Sequence, residues 1–246
     1  MSYNTYKRRD LSIVELDGRQ CLVIAADSCG AVGEKPGDAL KAPPSLAGAM
    51  TARVAIMEVL AAGAEIVCVT DCVASEFEPT GREIVRGIAR EMEKAGVSPG
   101  CLTGSTEENF RAVMTGLGVT AVGLADKHGL KFRPASDGDL FALFGEPLVG
   151  AEVIENIEKI VSYQTIKTLV RDENVREISP AGSKGAAYEC RVLAGLNGGT
   201  FAPAPGGADT LKSAGPAACA VALVSPVFPE RWRGENYKVL GRLCKI

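Results

Sequence analysis

Apolar and polar residues alternate over Leu11-Ser12-Ile13-Val14-Glu15-Leu16, the period of a half-buried strand. Asp17-Gly18 supplies a hairpin turn. Cys21 to Ala26 is then an almost unbroken apolar run, which predicts a buried strand ending at Asp27. Gly30, Gly33, Gly37, Pro36, Pro43 and Pro44 make 28–44 a loop, and its 17 residues are a length usually kept for function. Ser45 to Ala62 predicts a helix with a face of small residues (Ala47, Gly48, Ala55, Ala61, Ala62), ended by Gly63. Ile66 to Thr70 predicts a second buried strand, ending at Asp71. Thr80 to Ala95 is an amphipathic helix with Ile84, Ile88, Met92 and Ala95 on one face and Gly96 as its stop. Cys101-Leu102-Thr103 leads into a polar loop from Gly104 to Asn109, and Val119 to Leu124 predicts another strand. Asp27, Asp71 and the Gly104 loop thus each follow an apolar strand, where sheet proteins tend to place chemistry.

The pattern changes after residue 126. Lys127 to Gly150 is rich in glycine, proline and charge and reads as a boundary. Beyond it the periodicity predicts a helix over Ala151 to Val170, a short strand over Val175 to Ile178, and a helix over Ala186 to Ala194 opened by Gly182-Ser183-Lys184-Gly185. Asn197 to Ala208 is turn-rich, and Cys219 to Val224 and Val239 to Leu243 predict two closing strands. The domains expected are 1–126, a linker 127–150, and 151–246.

Composition narrows the chemistry. The 246 residues include one histidine, which excludes His-rich zinc sites, H-E-x-x-H proteases and two-histidine acid/base schemes. That residue, His128, lies in Asp126-Lys127-His128-Gly129, a turn sequence. A net charge of −3 with no strongly basic segment argues against nucleic acid as partner. The 17-residue uncharged run Ser213 to Pro229 contains three prolines and reads as a buried strand region, so no membrane span is expected and the cytoplasm is the expected compartment. Eight cysteines without a C-x-x-C pair, several in apolar runs, read as buried thiols. Glycine (28) and proline (13) exceed average use, which predicts many turns and backbone-lined sites.

The strongest chemical constellation is acidic: Asp10, Asp27, Glu58, Asp71, Glu107 and Glu108. Carboxylates gathered by neighbouring strands could hold a hard cation such as Mg²⁺ together with phosphate oxygens, with no histidine required. Each acid singly reads equally as a cap or turn residue. The glycines of Gly30-Ala31-Val32-Gly33 match neither a P-loop nor a dinucleotide fingerprint. Gly182-Ser183-Lys184-Gly185 could hold an anion on helix amides with the lysine as a point charge, or simply start a helix. Lys7-Arg8-Arg9 could meet a triphosphate or be a solvated segment.

From Asp10 to Leu124 the order of motifs resembles the superfamily of aminoimidazole ribonucleotide synthetase, thiamine monophosphate kinase, the hydrogenase-maturation dehydratase and selenophosphate synthetase. Asp27-Ser28-Cys29-Gly30-Ala31-Val32 stands where the synthetases have Asp-Gly-Val-Gly-Thr-Lys. Met57-Glu58 followed by Gly63-Ala64-Glu65 stands for Asn-Asp and Gly-Ala-Glu, and Thr70-Asp71-Cys72 for Leu-Asp-Tyr. Thr103-Gly104-Ser105-Thr106-Glu107-Glu108 stands for the Gly-Gly-Asp-Thr or Gly-Gly-Glu-Thr loop, and Arg9-Asp10-Leu11-Ser12 for the early Asp-Asp-Ala-Ala. Among short members the chain looks most like the α-ribazole kinases of cobamide lower-ligand salvage.

The resemblance implies an α+β fold: an N-terminal α/β domain of the synthetase type followed by a C-terminal α+β domain. It implies a homodimer that binds ATP with Mg²⁺ and acts on a nucleoside-like small molecule, for α-ribazole at the 5′-hydroxyl. Asp27, Asp71 and Lys184 are its implied catalytic residues. Lys7, Arg8, Gly30, Gly104, Ser105 and Thr106 would contact the nucleotide, and Asp10, Asp27, Glu58, Asp71 and Glu107 the metal. The chain departs from the pattern at Met57-Glu58, at Ser105 in place of the loop acid, in a shorter N-terminal phosphate arm, and at Ser183-Lys184-Gly185, where relatives have Ser-Asp-Gly. Those departures argue against a standard purine or thiamine enzyme; the alternatives are a thiamine-monophosphate-kinase-like enzyme, ATP-driven ring closure or dehydration, and a nucleotide-binding regulator without transfer chemistry.

Overall fold

The alternating segment and the apolar run beyond it become adjacent antiparallel strands in the structure, a computed structural model that describes residues 3–205 and 210–246. Two compact units divide the chain, and the first comprises Met1–Val59 and Ala64–Ala125. Its elements are β1 (Thr5–Arg8), β2 (Leu11–Glu15), β3 (Gln20–Gly30), β4 (Val32–Gly33), β5 (Leu40–Lys41), α1 (Pro44–Ala61), β6 (Glu65–Val73), α2 (Arg82–Lys94), β7 (Leu102–Thr106) and β8 (Gly116–Asp126). Six strands form one sheet in the order β1-β2-β3-β8-β6-β7, in which only the β6–β7 pair is described as parallel, while β4 and β5 make a small parallel pair of their own.

Period-two burial puts Leu11, Ile13, Cys21, Val23, Val69, Val119 and Ala121 on the inner face of the six-stranded sheet. There α1 meets β8 at Gly123, where a Cβ would fall 2.5 Å from Val59 Cγ1. The two helices approach each other through glycines. A Cβ on Gly87 of α2 would fall 1.8 Å from the Ser45 carbonyl oxygen, and one on Gly48 of α1 would fall 2.3 Å from that of Ile84. Helix α1 is long and apolar enough to cross a membrane, but 78% of it is buried, as in the core helix of a folded unit.

The second unit comprises Leu60–Gly63 and Asp126–Ile246. It contains β9 (Leu140–Gly145), α3 (Ala151–Glu155), α4 (Tyr163–Arg171), β10 (Val175–Pro180), α5 (Ala186–Leu196), β11 (Gly199–Pro203), β12 (Cys219–Val224), α6 (Phe228–Arg231) and β13 (Tyr237–Lys245). Its five-stranded antiparallel sheet has the order β10-β12-β9-β13-β11. Every residue of β12 is buried, and Phe144, Phe228, Trp232 and Tyr237 stack or meet edge-on. The chain is thus α+β in both units.

Several elements differ from their sequence pattern. Asp27 and Asp71 do not end their strands, because β3 continues to Gly30 and β6 to Val73. Residues 104–106 are strand, paired to β6, and the long loop contains β4 and β5. The stretch 127–150 holds β9, the central strand of the second sheet. The helix expected over Ala151 to Val170 is broken, since Ser162 caps a fresh start by accepting from the Thr165 amide. The turn-rich 197–208 contains β11, and 206–208 lie outside the described residues. All eight cysteines are unpaired; Cys21, Cys190 and Cys219 are buried, and Cys72 is exposed.

The helix crossing makes a test. Gly87→Ala forces backbone apart at a close approach and is expected to cost about 1–3 kcal/mol. The exposed Arg86→Ala next to it should stay within about 0.5 kcal/mol of the parent. Urea unfolding of both variants measures the difference, and equal midpoints would refute the packing assignment.

Candidate active site

Parallel pairing of β6 with β7 sets Asp71 directly beside Gly104, and β8 sets Val119 on its other side. The Asp71 side chain occupies the space that a residue at 104 would use: a Cβ there would lie 2.3 Å from Asp71 Cγ. Any side chain at 104 would make the Asp71 carboxylate move from this place. Asp71 is 4% exposed, and among the described residues no hydrogen bond or ion pair reaches its carboxylate. Burial raises its pKa above the ordinary carboxylate value, with no countercharge to oppose the shift. It lines a groove of about 480 Å³ between α2 and β7, together with Phe77, Val85, Ala89, Pro99 and Leu102.

Asp27 belongs to the same face. In β3 it continues the buried series Cys21, Val23, Ala25, and Gly118 of β8 packs against its carbonyl. Since β8 separates β3 from β6, Asp27 and Asp71 stand two strand spacings apart, about 10 Å at the backbone. Burial also raises the Asp27 pKa, partly offset by a hydrogen bond from the Ser28 amide. Cys29, two residues on, has its thiol pushed up by burial, against a hydrogen bond with Thr51, and by the charges of Asp27 and Asp38.

A frame around these acids was not among the sequence candidates. Asp38 is buried and accepts from the Lys35 amide, the Thr115 amide and the Thr115 hydroxyl. Burial alone would raise its pKa; those hydrogen bonds and Lys41 lower it. The loop is further stitched by Ala31 N–H to Thr115 C=O and Gly37 N–H to Val113 C=O. Lys35 Nζ lies 2.7 Å from Glu76 Oε2, and the Thr80 hydroxyl donates to Glu76 Oε1 at 2.5 Å. Burial opposes ionisation of Glu76, yet these donors hold its carboxyl down at about 2. The signal for the frame was Lys35-Pro36-Gly37-Asp38, a turn whose acid can reach back to an amide.

The other sequence candidates take different places. Glu58 is paired with Arg9 at 2.5 Å, so a guanidinium already neutralises it. Glu107 accepts from the amides of Asn109 and Phe110 and shapes its own turn. Glu108 accepts from the Phe77 amide and the Thr106 hydroxyl. Asp10 is exposed in the β1–β2 turn, Lys7 is exposed on β1 and Arg8 half-buried there. Gly30 ends β3 with open space around it. Ser105 follows Gly104 on β7, exposed. Lys184 belongs to the second unit, where its ammonium lies 4.4 Å from the centre of the Tyr188 ring. There the Ala187 amide at the start of α5 is taken by the Thr210 carbonyl, so the expected anion cradle is partly occupied. His128 is exposed in its turn, as its sequence predicts. Among the described residues no three His, Cys, Asp or Glu side chains come together as a metal cage, contrary to the gathering expected of the five metal candidates.

Residues 8–125 match the AIR synthase related protein, N-terminal domain. No curated protein matches the sequence. Among solved structures the chain is similar to T. maritima PurL complexed with ADP (TM-score 0.69, 17% identity, 99% of this chain and 43% of that one). It is also similar to AaThiL complexed with AMPPCP and TMP (0.67, 14%, 96% and 84%) and to a chain of the HypE–HypF complex (0.66, 15%, 95% and 87%). The chain thus spans about two fifths of the PurL chain, and at these identities the likeness is one of fold.

The Glu76 pairing fixes a pH response. Its folded pKa is lowered to about 2 from 4.5, so its contribution to stability is full above the unfolded value and is lost as pH falls toward 2. Urea unfolding at pH 6 and pH 3 is expected to show a smaller loss of stability in Glu76→Gln than in the parent. An identical loss in both would remove the pair from the frame.

Proposed function

We propose that the chain is an ATP-dependent small-molecule kinase that phosphorylates a hydroxyl of a nucleoside-like acceptor, with the 5′-hydroxyl of α-ribazole as the preferred assignment. The observation that carries the reading is Asp71: a carboxylate buried on a glycine, with neither donor nor cation to satisfy it. An acid kept in that condition is poised for a ligand. Solved proteins of the same fold support a nucleotide as that ligand, since PurL was solved with ATP and with ADP and AaThiL with AMPPCP.

Mg²⁺ fits the donor set found. It is commonly held by one or two carboxylates and by substrate phosphates, not by an all-protein cage. Asp71 and Asp27, on either side of β8, would each hold such an ion together with phosphate oxygens, and a bound ion would neutralise charge on the transferred phosphate. The chain's own residues supply position. Gly104 lets the Asp71 carboxylate lie flat against β7, and the Asp38–Thr115 and Lys35–Glu76 contacts fix the loop that follows Asp27. Such fixed placement is most of what phosphoryl transfer asks of a protein. Lys7 and Arg8 are proposed to meet phosphate charge.

The protein is proposed to act as a homodimer through the outer face of the first sheet, where Val14, Leu22, Ile24, Val122 and Leu124 form a half-exposed apolar surface. Sedimentation velocity at micromolar concentration should give a dimer; a monomer throughout would refute that surface as a self-contact.

Mass spectrometry of products from ATP·Mg²⁺ with α-ribazole, thiamine phosphate and aminoimidazole precursors tests the reaction. A phosphate ester of α-ribazole is expected, with turnover lowered by about 10²–10³-fold in a folded Asp71→Asn variant. Inorganic phosphate with a dehydrated or cyclised product would reassign the enzyme, and nucleotide binding with no product would leave a regulator.

A further inference from the structure

The turn between β1 and β2 carries an arginine where the backbone favours glycine. Arg9 and Asp10 form a two-residue hairpin turn, flanked by the paired Arg8 and Leu11. Arg9 has φ +54°, in the left-handed region that L side chains rarely adopt. Its side chain is nevertheless only 2% exposed, and Nη1 lies 2.5 Å from Glu58 Oε2 on α1, 49 residues away. A backbone in that region persists where its surroundings hold it, and the ion pair to a core helix is such a hold. β1 pairs with β2 alone, and Thr5, Tyr6 and Lys7 are exposed along it. An edge strand of this kind frays unless its end is fixed. Ser12 of β2 faces Ile24 of β3 in antiparallel register, so the turn before β2 lies beyond Ile24, on the side of Asp27. Lys7 and Arg8 therefore enter the turn near the Asp27 end of the sheet.

We infer that Arg9 is a positioning residue of the nucleotide site: through Glu58 it fixes the hairpin so that Lys7 and Arg8 meet the phosphates beside Asp27. This rests on the kinase reading and adds the residue that sets the place of its two phosphate-binding cations. The three consecutive cations divide the work. Lys7 is exposed and Arg8 half-buried, so both can turn toward an anion. The ammonium acts as a point charge, and the guanidinium can grip a phosphate through two nitrogens. Arg9 stays behind them, buried, with its charge matched to Glu58. A fixed hairpin raises affinity because a loose one would have to be ordered at each binding event. That gain is largest for a ligand that reaches both cations, a triphosphate, and small for a monophosphate.

Calorimetry on the whole chain tests the inference, with ATP·Mg²⁺ and AMP as separate titrants. Arg9→Gly/Glu58→Gln removes both charges together, so no lone charge stays buried, and glycine suits the left-handed turn. Lys7→Ala/Arg8→Ala removes the two phosphate-binding cations themselves, and melting curves check that each variant folds. Both paired variants should weaken ATP·Mg²⁺ by about tenfold and leave AMP within about twofold of the parent. Combining all four substitutions should weaken ATP·Mg²⁺ no further than Lys7→Ala/Arg8→Ala does, because Arg9 acts only through those two side chains. Arg9→Lys keeps a cation for Glu58 and should bind ATP·Mg²⁺ more tightly than Arg9→Gly/Glu58→Gln. Parent affinity in either paired variant, equal weakening of ATP·Mg²⁺ and AMP, or an additive loss in the combined variant would overturn the inference. A parent that binds no ATP·Mg²⁺ overturns it together with the kinase reading. The expected binding pattern without any phosphorylated product overturns the kinase reading alone.

Discussion

The Asp71 carboxylate lies against the α-carbon of Gly104, and much of the first unit is arranged so that it can. Parallel pairing brings the two residues level, and the absence of a Cβ leaves room for the acid. Packing on the inner face strips part of its water, and no donor among the described residues replaces it. A carboxylate in this state works against the stability of the fold. Its neighbours compensate by packing: α1 and α2 cross at Gly48 and Gly87, and the inner sheet face is apolar from Leu11 to Ala121.

The acids around it show the contrast. Asp38 has three donors, Glu76 has an ammonium and a hydroxyl, Glu58 has a guanidinium, and Glu107 has two amides. Each is satisfied by the protein and serves to hold a loop or strand in place. Asp71 differs from these four in having no such partner among the described residues. The division between acids that build the frame and the acid the frame presents is the physical basis of the functional reading.

Much of this was legible in the sequence. Period-two and period-3.6 patterns located the strands through Leu11, Val23, Val69 and Val119 and the helix that buries Ile84, Ile88 and Met92. The runs ending at Asp27 and Asp71, with Gly104, marked the residues that the sheet brings to one face. Strand ends were less legible, because β3 and β6 continue past an acid that usually signals a turn. The roles of the acids were least legible. Glu58 and Glu107 have the same carboxylate as Asp71, and only the arrival of Arg9 from 49 residues away, or of two local amides, separates them. Asp38 was hidden for the same reason: its partner Thr115 is 77 residues distant. β9 was missed because Gly145 and the charged residues around it mask a buried six-residue strand.

The central claim is that Asp71 is held ionisable and unsatisfied for a ligand. Thermal unfolding of the parent and of Asp71→Asn, without nucleotide or divalent cation and across pH 3 to 8, tests it most directly. A folded pKa raised above 3.8 means that the penalty is present at pH values above the folded pKa and absent below the unfolded one. The account therefore predicts that Asp71→Asn is the more stable protein at pH 7 and that its advantage shrinks as the solution is acidified. A variant less stable than the parent at pH 7 would show that the protein itself satisfies this carboxylate, and would contradict the account.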